Sequence, residues 1–317
     1  MDLVLHYGDE YVFDAAYAYL LPKPGQLASA AANGTTIAGE SLATASRLAR
    51  DNIYRQCASL WVIAVVGALI VYFIFCSLSY FFLYDRRLEH HPRFLKNQIR
   101  QEIISSLVAA PTIGVLTVPW FLGEVRGKST LYENVDDYGW AYFVFSAVLF
   151  LVVTDFLIYW IHRIEHHPSI YKYIHKPHHK WIVPTPYAAL AFHPLDGYAQ
   201  SLPYHIFVFV FPMHRLLYLG MFAFVQFWTI FIHDGDMISG GWAEKFINSP
   251  AHHTLHHIYF TCNYGQYFTW ADKTFDSHRE PVPALDPLIA SLKNMQAKGL
   301  VDAAGKPIPQ NKNKKSQ

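Results

Sequence analysis

Charged side chains are absent from Leu60 to Tyr84, and 25 residues wound as an α-helix reach about 37 Å, enough to cross a hydrocarbon layer of about 30 Å with some tilt. That run predicts the first membrane span. A second uncharged run, Ile103 to Leu122, contains Pro111, Gly114 and Pro119. A kinked helix is expected there, because membrane helices accept proline where neighbours satisfy the freed carbonyls. A third run extends from Gly139 to Ile161 with one charge, Asp155. The fourth, Leu202 to Ile232, is broken at Phe211-Pro212-Met213-His214-Arg215. Each half has about 15 residues, short for a full crossing, so a re-entrant or tilted hairpin is expected. The pattern predicts an all-α, polytopic membrane protein with about four transmembrane segments, the last a hairpin. Residues 60–161 hold the transmembrane helices, and the hairpin 202–232 lies within a later region, 162–280.

Sidedness follows from the basic residues. The loop from Asp85 to Glu102 holds Arg86, Arg87, Arg93, Lys96 and Arg100, whereas Gly123 to Tyr138 holds only Arg126 and Lys128. The positive-inside rule therefore puts the first loop in the cytosol. Residues 1–59 are then a lumenal segment, everything after His162 is cytosolic apart from the hairpin, and 281–317 is a cytosolic tail. Met1 to Leu21 carries acidic residues and no Lys or Arg, unlike a cleaved signal peptide. Asn33-Gly34-Thr35 is a glycosylation sequon on the lumenal side, and the chain ends in Lys314-Lys315-Ser316-Gln317, which resembles a dilysine retrieval signal. Together these predict a multi-pass protein of the endoplasmic reticulum membrane.

Composition agrees. The chain is 52% hydrophobic and 15% charged, where a soluble domain carries about a quarter charged residues. A net charge of +1 gives no field to attract polyanions, which argues against a nucleic-acid partner and for membrane lipid. Cys57, Cys76 and Cys262 lie far apart and form neither a disulfide framework nor a thiolate metal site.

The unusual number is 18 histidines. His162 and His166 stand four apart where the third span ends, so on a continuing helix both rings share a face, and Asp155, seven residues earlier, returns to it. His175-Lys176-Pro177-His178-His179 and His253-Thr254-Leu255-His256-His257 repeat the spacing His-x-x-His-His. Neutral imidazole suits iron, zinc, copper or nickel. These clusters supply eight imidazoles, too many for one zinc ion, and a pair of ions with open positions would use that number. His233, at the cytosolic end of the last apolar stretch, joins the ligand candidates, as does His193. Asp155, a charge within a span, is expected to be functional. With Asp234 and Asp236 it is a carboxylate expected to orient ligands, and Asp155 and Asp234 are the candidate catalytic acids. His90 and His91 read as headgroup contacts, His205 and His214 as hairpin-interface residues, His6 and His278 as solvated, and His167 and His252 as neighbours of the clusters.

With these clusters the sequence resembles the fatty acid hydroxylase and sterol desaturase superfamily of membrane di-iron enzymes. Its mark is His-x(3 or 4)-His followed by two copies of His-x-x-His-His. The run from Ile174 to Pro186, the run from Phe192 to His205, His233-Asp234-Gly235-Asp236, and Asn263-Tyr264-Gly265-Gln266-Tyr267-Phe268-Thr269 are similar to the sterol C-5(6) desaturase branch. That branch usually carries Asp where this chain has Leu255. The resemblance implies two iron ions, use of O2, and electrons from NAD(P)H through a reductase and a cytochrome b5-type donor. It also implies formation of the C5=C6 double bond of a Δ7-sterol. No glycine-rich nucleotide motif occurs, as expected for a separate electron source. A sterol C-4 methyl oxidase or a lipid hydroxylase would share every ligand, and a metal transporter would instead line a path across the bilayer with histidines.

Overall fold

The computed structural model describes residues 1–24, 44–237 and 239–309. The sequon Asn33-Gly34-Thr35 and the terminal Lys314-Lys315 lie outside the described residues. Two short helices, α1 (Asp2–Gly8) and α2 (Asp14–Leu20), are joined by one π-helical turn. They precede α3 (Ile53–Phe82), α4 (Gln98–Val125), α5 (Gly139–Glu165), α6 (Pro194–Val210), α7 (Arg215–Ile232), α8 (Pro250–Tyr259) and α9 (Pro287–Ala297). Four of these, α3, α4, α5 and α7, are long and apolar enough to cross a membrane. Their outward faces carry large exposed apolar side chains such as Ile70, Val108, Val115 and Val144, which suit a lipid surround.

The helices extend past the uncharged runs at ends where polar groups can be satisfied. The Asn52 side chain accepts from the backbone N–H of Tyr54 and Arg55, starting α3 seven residues ahead of Leu60. α4 holds Pro111 and Pro119 inside one unbroken helix. α5 continues four residues beyond Ile161. Since about 20 residues cover the hydrocarbon layer, His162 and His166 emerge just past the far boundary of a span that enters at Gly139.

The hairpin limbs are longer than a count from Leu202 suggests. α6 starts at Pro194, so its limbs of 17 and 18 residues are about 25 and 27 Å long. Its turn also meets the loop between α4 and α5. Leu131–Tyr132 pairs in parallel with Met213–His214, the Thr130 N–H donates to the Val208 carbonyl (2.7 Å), and the Tyr142 hydroxyl donates to the Pro212 carbonyl (3.0 Å). The hairpin therefore runs the full depth of the bundle. The N-terminal helices gather at this same end, where the Met1 amino group pairs with Glu124 (2.9 Å) and Arg215 with Asp2 (3.0 Å). Buried Arg55 joins Asp9 and Asp14, tying α1 and α2 to the start of α3.

At the opposite end, polar anchors pin the loop that follows the second histidine cluster. The buried Glu102 carboxylate accepts from Gln98 Nε2 (2.8 Å), from the Thr185 N–H (3.3 Å) and from the Thr185 hydroxyl. The Tyr72 hydroxyl donates to the Tyr187 carbonyl (2.8 Å). A buried apolar cluster of Phe150, Ile158, Phe207, Val208, Met213 and Val225 locks α5 against the hairpin.

Candidate metal centre

Nine imidazoles converge at the α5 C-terminus in two groups. One contains His162, His166, His175, His179 and His256; the other contains His178, His233, His253 and His257. The Nε2 atoms face inward. In the first group His162–His175 is 3.1 Å, His175–His179 3.0 Å, His179–His256 3.0 Å and His166–His256 3.2 Å. In the second, His178–His233 is 3.4 Å, His233–His253 3.0 Å and His253–His257 3.2 Å. The two His-x-x-His-His clusters divide reciprocally. His175 and His179 enter one group while His178 enters the other; His253 and His257 join His178 while His256 crosses to His179. Residues four apart share a helical face and the middle one points aside, so each cluster serves both groups.

The outer nitrogens explain the inner ones. Nδ1 of His162 lies 3.0 Å from the Tyr264 carbonyl, His256 2.7 Å from Cys262, His257 3.0 Å from Trp181 and His233 2.6 Å from Thr229. Nδ1 of His175 lies 2.8 Å from the Asp196 carboxylate, which also accepts from Gln200 (2.7 Å). A carbonyl or carboxylate only accepts, so these Nδ1 atoms carry the proton and the matching Nε2 atoms are bare lone pairs. Bare nitrogens 3.1 Å apart, as in His162 and His175, repel each other unless a cation lies between them. At a metal–imidazole bond of about 2.1 Å, two ligands at right angles stand about 3.0 Å apart, so the observed spacings fit a bound ion in each group. Burial, then repulsion from neighbouring imidazoles, holds His178, His179, His253, His256 and His257 well below the usual histidine range, and each is neutral at physiological pH.

His193 stands apart from both groups. It precedes Pro194, is only half-buried, and its Nδ1 accepts the Leu195 N–H (3.2 Å), capping α6. The same turn recurs at the other His-Pro pairs: His91 accepts from Arg93 (3.1 Å) and His167 from Ser169 (3.4 Å). Asp155, expected beside the ligands, instead lies beneath them. Its Oδ1 accepts from the backbone N–H of Gln266 (3.1 Å), Tyr267 (2.7 Å) and Phe268 (3.2 Å), shaping the loop that carries the Tyr264 carbonyl to His162. Asp234 accepts from the Asp236 N–H (2.9 Å) in a turn after His233, and burial pushes its carboxyl up to about 7. Asp236 is exposed. Leu255 faces away from the imidazoles, in an apolar cluster with Met237 and Ala251.

The orienting carboxylates are ones that motif spacing does not single out. Asp196 holds His175, and buried Glu165 approaches the same Nδ1 at 3.9 Å. Asp272 accepts from the N–H groups of Tyr264 (2.9 Å) and Gly265 (2.8 Å), and so fixes the carbonyl that His162 needs. Gly265 is required in that turn, because a Cβ there would come within 2.4 Å of the Phe268 carbonyl.

The fatty acid hydroxylase family profile matches residues 147–277, the stretch that contains all nine imidazoles. The chain is 59% identical to a Δ7-sterol 5(6)-desaturase of Gibberella zeae, over 98% of this chain and 99% of that one. It is 58% identical to a Δ7-sterol 5(6)-desaturase of Aspergillus fumigatus, over 97% and 98%. To the lathosterol oxidase of Mus musculus it is 52% identical, over 73% of this chain and 78% of that one. No solved structure matches.

Proposed function

The chain belongs to the Δ7-sterol 5(6)-desaturases, oxidoreductases of sterol biosynthesis within the fatty acid hydroxylase family, and we propose that its nine converging imidazoles hold two iron ions at which a Δ7-sterol gains its C5=C6 bond. The observation that carries this reading is the set of inward-facing Nε2 atoms stripped of protons by their Nδ1 anchors. The ligands are His162, His166, His175, His179 and His256 for one ion and His178, His233, His253 and His257 for the other. Iron would supply the one-electron chemistry by which O2 oxidises a ring C–H bond, which no side chain of this protein performs. Overall, C5 and C6 each lose a hydrogen, and these with two electrons and two protons reduce O2 to two waters.

The protein's own part is geometric. The Tyr264, Cys262, Trp181 and Thr229 carbonyls and the Asp196 carboxylate fix the tautomer and ring direction of five ligands, so the site is assembled before substrate arrives. Burial keeps bulk water away from the reacting carbons. Residues 162–280 form the catalytic region in this reading. Electrons come from a cytochrome b5-type donor supplied by an NAD(P)H reductase, which the lack of a nucleotide-binding motif and the Arg86–Arg100 basic loop near the histidines support. The charge asymmetry of the loops supports an endoplasmic reticulum membrane protein with a lumenal N-terminus and a cytosolic site.

Sterol profiling of cells lacking C5 desaturation tests the reading. The wild-type chain is expected to restore C5=C6 sterols and to purify with two irons; His178→Ala is expected to leave Δ7-sterols unconverted. Hydroxylated or carboxylated sterols as the product would overturn it.

A further inference from the structure

A stripe on α5 recurs at four-residue intervals, through Val144, Val148 and Val152 to Phe156, Trp160 and Ile164. The valines and Ile164 are exposed, as a lipid-facing surface requires, but the two aromatic rings are partly covered. Trp270 stacks on Phe156, with centroids 5.5 Å apart and planes 18° apart, and Phe275 stands 4.9 Å from Trp160. Counting about 20 residues from Gly139 puts the far boundary of the hydrocarbon layer near Tyr159. Phe156 and Trp160 mark that boundary, and Trp270 sits at it.

A second segment lies beside Trp270. The Thr269 N–H donates to the Phe246 carbonyl (3.0 Å), and Ile247 bridges to Phe268. In this segment Trp242 is 78% and Phe246 62% exposed. The backbone beneath them is held in place: the Glu244 carboxylate accepts from the N–H groups of Gly240 (2.7 Å) and Gly241 (3.2 Å), and a single 3-10 turn, Trp242–Lys245, follows. Large aromatic side chains displayed from an ordered turn form an apolar patch of the kind that marks an interaction surface. Tryptophan and phenylalanine at a hydrocarbon boundary, next to the exposed Lys245, are the composition of a membrane interface. Through Trp270 the patch is continuous with the lipid-facing stripe of α5, which selects lipid over a protein partner.

We propose that residues 240–247, with Trp270, form an in-plane anchor seated in the headgroup layer of the leaflet on the imidazole side, with Trp242 and Phe246 among the acyl chains of its phospholipids. The inference rests on the membrane spans and not on the desaturase reading, so either can fail alone. The anchor has a role that the spans do not. Next to it, the Asn248 N–H donates to the Tyr267 carbonyl (2.8 Å) and the Asn248 side chain donates to the Gly265 carbonyl. That same loop reaches Asp155 through its N–H groups and offers the Tyr264 carbonyl to His162. The leaflet therefore steadies the stretch of chain that orients His162.

The test puts the full chain, one copy per disc, in nanodiscs of phosphatidylcholine brominated near the glycerol end of the acyl chains, near their middle, or not at all, and records tryptophan emission. The difference between wild type and Trp242→Phe isolates Trp242. Its emission is expected to be quenched strongly by the shallow bromines and less by the deep ones, and to resist iodide in the water. Phe246→Trp added to Trp242→Phe moves the reporter along the segment and is expected to regain that pattern. Emission that iodide quenches and brominated lipid does not, from both reporters, would overturn the anchor and leave the patch in water. Shielding from iodide and bromine alike would overturn it in favour of a contact within the chain. Trp242→Glu combined with Phe246→Glu is expected to speed amide hydrogen exchange at residues 264–268 severalfold, and unchanged exchange there would break the link to the loop.

Discussion

A histidine's neighbour in sequence decides much of its role here. His91, His167 and His193 each precede proline, and each turns its Nδ1 onto the N–H two residues ahead. Proline pushes the preceding residue into extended backbone, which frees the imidazole to cap the following turn. None of the nine converging histidines precedes proline. His193→Ala is therefore expected to keep both metal ions and to lower stability by about 1 kcal/mol, the ordinary loss of a helix cap. His178→Ala is expected to lower metal content from two ions to one per chain, because it belongs to the four-histidine group alone. Metal analysis of both purified variants against wild type checks this, and an unchanged metal content in His178→Ala would break the assignment. The His-x-x-His-His spacing made the convergence of the clusters legible, but it left open which member of each cluster joins which group. Asp196 and Asp272 were not legible as orienting groups, because what makes them matter is contact with His175 and with the Tyr264 turn, 21 and eight residues away.

Among the elements, the spans could be read from missing charge, and their true ends required caps that hydropathy does not see. Asp155 shows how a charge within a span can find partners that its own helix does not supply. A carboxylate inside an apolar helix needs partners, and the sequence around it offers none. The partners are three consecutive N–H groups from the 266–268 loop, more than a hundred residues later. Asp155→Ala leaves those three donors without an acceptor and is expected to cost about 3 kcal/mol. Asp155→Asn keeps one carbonyl oxygen and is expected to fall between it and wild type. Thermal unfolding in detergent should rank them in that order. Metal loss should follow unfolding of the loop, since the Tyr264 carbonyl there holds His162.

For the whole molecule, the depth of the last hairpin decides which face each loop occupies. From composition alone the two limbs looked too short to cross, because counting began at Leu202 and missed the α6 turns led by His193 and Pro194. The added turns, with the pairing of Leu131–Tyr132 and Met213–His214, carry the hairpin tip to the end of the bundle opposite the imidazoles. The cavity of about 310 Å³ lined by α3, α4, α6 and α7 depends on that depth, since a half-inserted hairpin would leave Phe121 and Met1 without α6 and α7 against them. Sealed vesicles give a direct check. In a chain whose native cysteines are replaced by serine, single cysteines at Gly127 and Pro212 are expected to react with an impermeant thiol reagent from one side. A cysteine at Lys298, beyond α9, is expected to react from the other. The re-entrant alternative instead puts Pro212 on the Lys298 side or out of reach, so labelling of Pro212 together with Lys298 would overturn the crossing and, with it, the enclosed cavity.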